Sequence, residues 1–204
     1  MTQTGFSDDP NDAFGYRVLQ VLREFVAKLY RRVPDKHASD IIHKDVTANS
    51  TELAQKPERF IEETLVRPLG DALAYDYRPQ PTGFAGLGGR YPDFTILNLA
   101  PVVIGEIKQP NTYKEARKDT FDYLQMAEDR PLYGLSTDGW SWSLFTAETD
   151  SDPEYRRSYS LRSLVKNIAL QQNHEKASGK SADELRRGCT EFASIFSISA
   201  LSQL

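Results

Sequence analysis

The chain carries a single cysteine, Cys189, in 204 residues, so no disulfide can close within it. It also lacks any apolar run near the ~18 residues needed to cross a bilayer, and Met1 to Pro10 is polar, without the apolar stretch of a secretory leader. A cytoplasmic protein with no membrane contact is the expectation. Neither sign of charge dominates. Lys+Arg 25 against Asp+Glu 29 gives a net −4, which excludes a general basic coat for nucleic acid but leaves room for a local basic face around an acidic centre. Internal repeats are absent, and so is a phosphate loop. G-F-A-G-L-G-G-R, from Gly83 to Arg90, has no G-K-[ST] ending and does not lie between a strand and a helix. It reads as a connector between strands, or as a place where glycine backbone approaches a nucleic-acid phosphate with Arg78 and Arg90 beside it.

What is present suits one globular domain. Residues 1–11 read as a flexible tail and 12–204 as a single domain, with a core over 57–147 and helical additions over 12–50 and 161–204. Phe14, Val18, Leu22, Phe25 and Leu29 recur at helical spacing and predict a helix from about Asp12 to Arg32, ending on Lys28, Arg31 and Arg32. Those cations either complement the helix dipole or contact a polyanion. His37 and His43 follow in a polar connector with Asp35, Asp40 and Asp45, where a metal site is a weaker alternative.

Pro57 opens a second helix to about Ala74, carrying Ile61, Leu65 and Leu69. At about 100° per residue Glu58 falls near the centre of its apolar face, Glu62 at the edge and Glu63 opposite. Glu58 therefore either meets a cation or is accommodated by the first turn. Further helices are predicted over 112–128, 161–172 and from Ser181, which opens a capping box with Glu184. Strands are predicted over 75–80, 131–136, 140–146 and 155–159.

The centre of the chain is Y-P-D-F-T-I-L-N-L-A-P-V-V-I-G-E-I-K-Q, Tyr91 to Gln109. Two short β-rich runs flank the turn signal Asn98 to Pro101 and predict an antiparallel hairpin symmetric about the Leu99/Ala100 bond. That register sets Asp93 opposite Glu106, with Cβ atoms roughly 4.5–5.5 Å apart. Glu106 and Lys108, two apart, share a face. Like charges directly opposite destabilise a hairpin unless something binds between them. Lys108 could neutralise the pair alone, or a metal could sit there. Lys114, Arg117 and Lys118, on the helix that follows, form the best basic patch, unless they are simply a solvated face.

P-D followed by E-x-K, at Pro92-Asp93 and Glu106-Ile107-Lys108, resembles the PD-(D/E)xK nuclease superfamily. The stretch from Glu58 to Tyr75, G-R-Y-P-D-F at Gly89, G-E-I-K at Gly105 and Y-G-L-S-T-D-G-W-S-W-S-L-F from Tyr133 are similar to the N-terminal nuclease domain of type I restriction enzyme R subunits. The resemblance covers Pro57 to Phe145. It implies an α/β (α+β), restriction-endonuclease-like fold, a mixed central sheet flanked by helices, and a DNA endonuclease using Mg²⁺ or Mn²⁺. Asp93 and Glu106 supply hard oxygen ligands, the Ile107 carbonyl is a third by resemblance, and Glu58 would hold the metal through a water or bind a second ion. Lys108 would orient the attacking water and stabilise the transition state. Glu62 and Tyr123 are accessory candidates. The family often places Gln four residues before that Tyr, where this chain has Asp119. Without a Walker motif, and too short for a translocating motor, the chain would be a stand-alone or truncated nuclease module, acting as a homodimer or beside other subunits of a defence or repair complex. The alternatives are a nuclease fold that has lost catalysis and serves as a nucleic-acid-binding or assembly subunit, and an effector or inhibitor using the fold as an inert scaffold.

Overall fold

The structure is a computed structural model that describes residues 10–128, 130–149, 151–172 and 180–204. Its elements are α1 (Pro10–Arg32), α2 (Asp35–His43), α3 (Ser50–Leu53), α4 (Pro57–Ile61), a π-helical turn (Glu62–Val66), α5 (Arg67–Ala72), β1 (Tyr77–Pro79), β2 (Phe94–Ile96), β3 (Val103–Ile107), α6 (Tyr113–Met126), β4 (Leu132–Thr137), β5 (Ser141–Ala147), β6 (Glu154–Ser160), α7 (Arg162–Gln172), α8 (Ala182–Phe196) and α9 (Ile198–Leu201). The expected tail is shorter than read, since Pro10 and Asn11 already begin α1; residues 1–9, and residues 173–179 with His174, lie outside the described residues.

The six strands form one mixed sheet in the order β1-β2-β3-β4-β5-β6. Every neighbouring pair is antiparallel except β3 and β4, which are parallel and joined through α6. Parallel neighbours need such a crossover, and the run Tyr113–Met126 supplies one. Helices lie on both faces. Val103, Ile107, Leu135 and Leu144 belong to a large apolar cluster shared with α1, α2, α5, α7 and α8, whereas Ile104, Phe145 and Ala147 belong to a smaller one under Tyr123 and Leu124 of α6. Alternation along β3 thus assigns Val103 and Ile107 to one layer and Ile104 to the other, which sets Glu106 and Lys108 on the α6 side. The helical additions at both ends share the large cluster with the sheet. No described helix is long and apolar enough to cross a membrane.

Two glycines let these layers close. A Cβ on Gly134 would stand 2.6 Å from Leu124 Cδ1 and 2.7 Å from Thr120 Cγ2, so β4 admits α6 only because that side chain is missing. A Cβ on Gly105 would enter the Phe94 ring, which lies across β3 and stacks on Tyr77 at 4.9 Å between centroids. Gly105→Ala is expected to cost about 1–3 kcal/mol through overpacking. The loss should show as a lower urea midpoint and be partly recovered by Phe94→Leu; an unchanged midpoint for Gly105→Ala would mean that the ring does not lie there.

α2 corrects one expectation: residues 35–43 are helical, because Ala38, Ile41 and Ile42 give them a buried stripe. His37 pairs with Glu52, and that hydrogen bond raises its pKa. Among the described residues no three His, Cys, Asp or Glu side chains group as a metal site, here or elsewhere.

Candidate active site

The β2–β3 ladder has the register expected of the hairpin. Phe94 pairs with Gly105, Thr95 with Ile104 and Ile96 with Val103, so the next position sets Asp93 beside Glu106. Asp93 sits just beyond the ladder. Its N–H donates to Gly105 O at 2.9 Å, and its Oδ2 accepts the Ile107 N–H at 2.7 Å. Among the described residues its other oxygen has no hydrogen bond. β3 continues to Lys108, whose N–H donates to Thr137 O at 2.9 Å. Asp93 thus stands just before β2 begins, where β3 still runs against β4 through Lys108.

Glu106 is only 4% exposed. One carboxylate oxygen accepts from Lys108 Nζ, while Oε2 is buried without a partner among the described residues. Burial first, then the Asp93 charge, push the Glu106 carboxyl up to about 7, against the pull of Lys108. Burial also raises Asp93, opposed by the Ile107 amide and the Lys108 charge. For Lys108 burial acts downward, but hydrogen bonds to Asp119 and Glu106 outweigh it and hold the ammonium charged. Asp119 Oδ2 stands 2.8 Å from Lys108 Nζ. Asp119, which the resemblance marked only as a departure, therefore joins the site; its signal was its spacing, one turn before Tyr123. Tyr123 O–H donates to Tyr91 O at 3.2 Å, and burial followed by the Glu106 and Asp93 charges pushes its pKa up to about 12.

Asp93, Ile107 and Lys108 line a cleft of about 740 Å³ whose opposite wall is formed by Glu58, Glu62, Glu63, Lys56, Arg59 and Arg67. Here the helical-wheel expectation is corrected. Glu58 is exposed, while Glu62 is half-buried, accepts the Tyr77 O–H at 3.0 Å and acts on Asp93 more strongly than Glu58 does. The π turn is the reason. It takes more residues per turn than an α-helix, so a wheel at about 100° per residue misplaces everything before it. Lys56, Arg59 and Arg67 were not foreseen as the cations of this cleft, because only the fold brings their helix to Asp93. Arg59 is paired with Glu63 at 2.8 Å; Lys56 and Arg67 are exposed.

The expected basic residues lie elsewhere. Lys114, Arg117 and Lys118 line a separate groove with Phe121 and Phe145. Arg117 stands over the rings of Tyr113, Phe145 and Tyr155 at 5.4–5.9 Å, and Lys118 pairs with Asp122 at 2.5 Å. Asp119 and Arg117, two residues apart on α6, are about 200° apart around it, so this patch turns away from Lys108. Arg78 is exposed on β1 and bonds Asp76, and Arg90 lines a small pocket in the glycine-rich segment. That segment folds over the end of α6, with Glu128 N–H donating to Ala85 O at 3.3 Å, while Gly83, Gly88 and Gly89 face open space.

The residues present suit a hard divalent cation. Mg²⁺ commonly takes one or two carboxylates and keeps several waters, and the carboxylates of Glu106 and Asp93, brought together by the ladder register, are a donor set of that kind. Comparison of the chain with protein-family models, with curated proteins and with solved structures found no match.

Proposed function

We propose that this chain is a divalent-metal-dependent DNA nuclease, or nuclease module, with a restriction-endonuclease-like fold. The observation that carries the reading is the buried Oε2 of Glu106, partnerless among the described residues and set by the register beside Asp93, which itself lines an open cleft. A buried carboxylate oxygen with no partner is costly, and a cation bound there repays the cost. Asp93 and Glu106 would hold Mg²⁺ or Mn²⁺, with the Ile107 carbonyl and Glu62 as further oxygen donors, the latter in place of Glu58. Such an ion would supply charge stabilisation at the phosphate and a water of lowered pKa.

The protein's own part follows from its side chains. Lys108 stays protonated, so it has no lone pair to accept a proton and acts as a donor, orienting the water and offsetting charge as the new P–O bond forms and the leaving P–O bond breaks. Lys56 and Arg67, exposed on the far wall, attract the backbone on either side of the scissile bond. One observation favours a second reading, a nucleic-acid-binding module without catalysis: Lys108 is already committed to two carboxylates.

Incubation with supercoiled, linear and single-stranded DNA in Mg²⁺ or Mn²⁺, beside an EDTA control, separates the readings. Cation-dependent cleavage is expected; binding without cleavage would support the second reading, and neither would sink both. Lys56→Ala with Arg67→Ala is expected to weaken DNA binding and to reduce the slope of log K against log salt by about 2, since each phosphate no longer neutralised takes away roughly 0.9 for duplex DNA. Lys114→Ala with Lys118→Ala should change it less. The reverse order would move the DNA path to the other side of α6.

A further inference from the structure

We infer that Asp119 is a positioning residue that sets how tightly the Asp93–Glu106 pair takes a divalent cation, by giving the Lys108 ammonium a second anchor when Glu106 lets it go. The inference rests on the cation reading given above. Lys108 is bonded to Glu106 from within β3 and to Asp119, at 2.8 Å, from α6. An ammonium has three donors and no acceptor, so both bonds can exist at once, and either can persist alone. A cation arriving at Glu106 competes with Lys108 for the same negative charge. With Asp119 in place the displaced ammonium keeps a charged partner. Without it, Lys108, whose side chain is only 19% exposed, would be left half-buried and unpaired, and that cost falls on cation binding.

The anchor is also fixed in space. Asp119 stands next to the fully buried Thr120, and Thr120 and Leu124 rest on β4 where Gly134 leaves room. One turn on, Tyr123 ties α6 to the Tyr91 carbonyl at the mouth of the Asp93 segment. The Asp119 carboxylate is therefore presented by a packed helix and not by a loop, and its side chain, 37% exposed, is open enough to be changed without emptying the core.

The test is calorimetric titration of the whole chain with MnCl₂, a readout independent of cleavage. Asp119→Asn is expected to raise the Mn²⁺ Kd about tenfold, within the 10–100-fold cost of losing an outer partner of a metal site. Asp119→Glu should restore binding to within about threefold. Lys108→Met, which removes the competitor, should bind Mn²⁺ at least as tightly as the wild type. In that background Asp119→Asn should shift the Kd less than about threefold. An Asp119→Asn protein that binds Mn²⁺ like the wild type overturns the inference. So does an undiminished loss in the Lys108→Met background, which would mean that Asp119 acts on the cation directly. A wild type that binds no Mn²⁺ overturns the cation reading itself, and the anchor with it.

Discussion

Asp93→Asn and Lys108→Ala are each expected to lower the kcat/KM of Mg²⁺-dependent DNA cleavage at least about 10³-fold, or about 4 kcal/mol of transition-state stabilisation. The two variants fail for different reasons. Asn at 93 keeps a carbonyl oxygen that can accept the Ile107 N–H, so the end of the hairpin should hold its shape while the negative charge is lost. Asp93→Asn should therefore bind Mn²⁺ poorly and recover little activity at any concentration. Lys108→Ala removes the donor and leaves the cation ligands in place, so it should still bind Mn²⁺ and show the loss in kcat. Cleavage that persists unchanged in both variants would remove Asp93 and Lys108 from the chemistry.

The second large effect concerns stability against pH. The Glu106 carboxyl is pushed from 4.5 to about 7, chiefly by burial. Below about pH 4.5 the group is protonated in the folded and unfolded chains alike. Between there and pH 7 the unfolded chain gives up the proton while the folded chain keeps it, so the folded state loses stability as pH rises, fully so above about 7. A shift of this size corresponds to about 3 kcal/mol, and little of it is screened because Glu106 is 4% exposed. Asp93, also raised, acts in the same direction, and so does His37 at the upper end of the window. Comparison with Glu106→Gln cancels those contributions. In EDTA the wild-type urea midpoint should fall between pH 5 and 8, Glu106→Gln should fall less and be the more stable at pH 8, and Mn²⁺ at pH 8 should restore the wild type alone. Parallel curves for the two proteins would show that Glu106 is not buried as a charge.

These effects depend on features that differ in how far the sequence discloses them. The hairpin was legible because its information is local: a turn signal and two apolar runs fix the pairing of Phe94 with Gly105, and a period of two fixes Glu106 and Lys108 on one face. The order of the six strands was legible for the same reason. The wall opposite Asp93 was not. A regular wheel centres Glu58 on the apolar face and sets Glu62 at its edge; Glu62 is half-buried as that implies, and Glu58, before the π turn at Glu62–Val66, is the residue that departs. Residues 35–43 look polar as a composition, and their three buried residues become a helix face only against the rest of the core. Lys114 and Arg117 follow Lys108 closely in the chain, yet their helix shows Lys108 its Asp119 side, a distinction that follows from about 100° per residue once the strand's face is known. The ion pair between Asp119 and Lys108 needed the crossover itself.

The two ends of the chain complete one another: α1 lies chiefly against α8, with Gly15 fitted to Thr190 and Asp12 accepting the Thr190 hydroxyl at 3.2 Å. During synthesis, then, α1, α2, α5 and the whole sheet emerge before α7 and α8 arrive to complete the layer on the far side of the carboxylates. Trp142 must wait for Phe192 and Phe196, which belong to α8. Contacts so distant along the chain are the slow ones to form. A ribosome that stops before α8 would release the sheet with Asp93 and Glu106 but without the α8 side chains that finish the core beneath it.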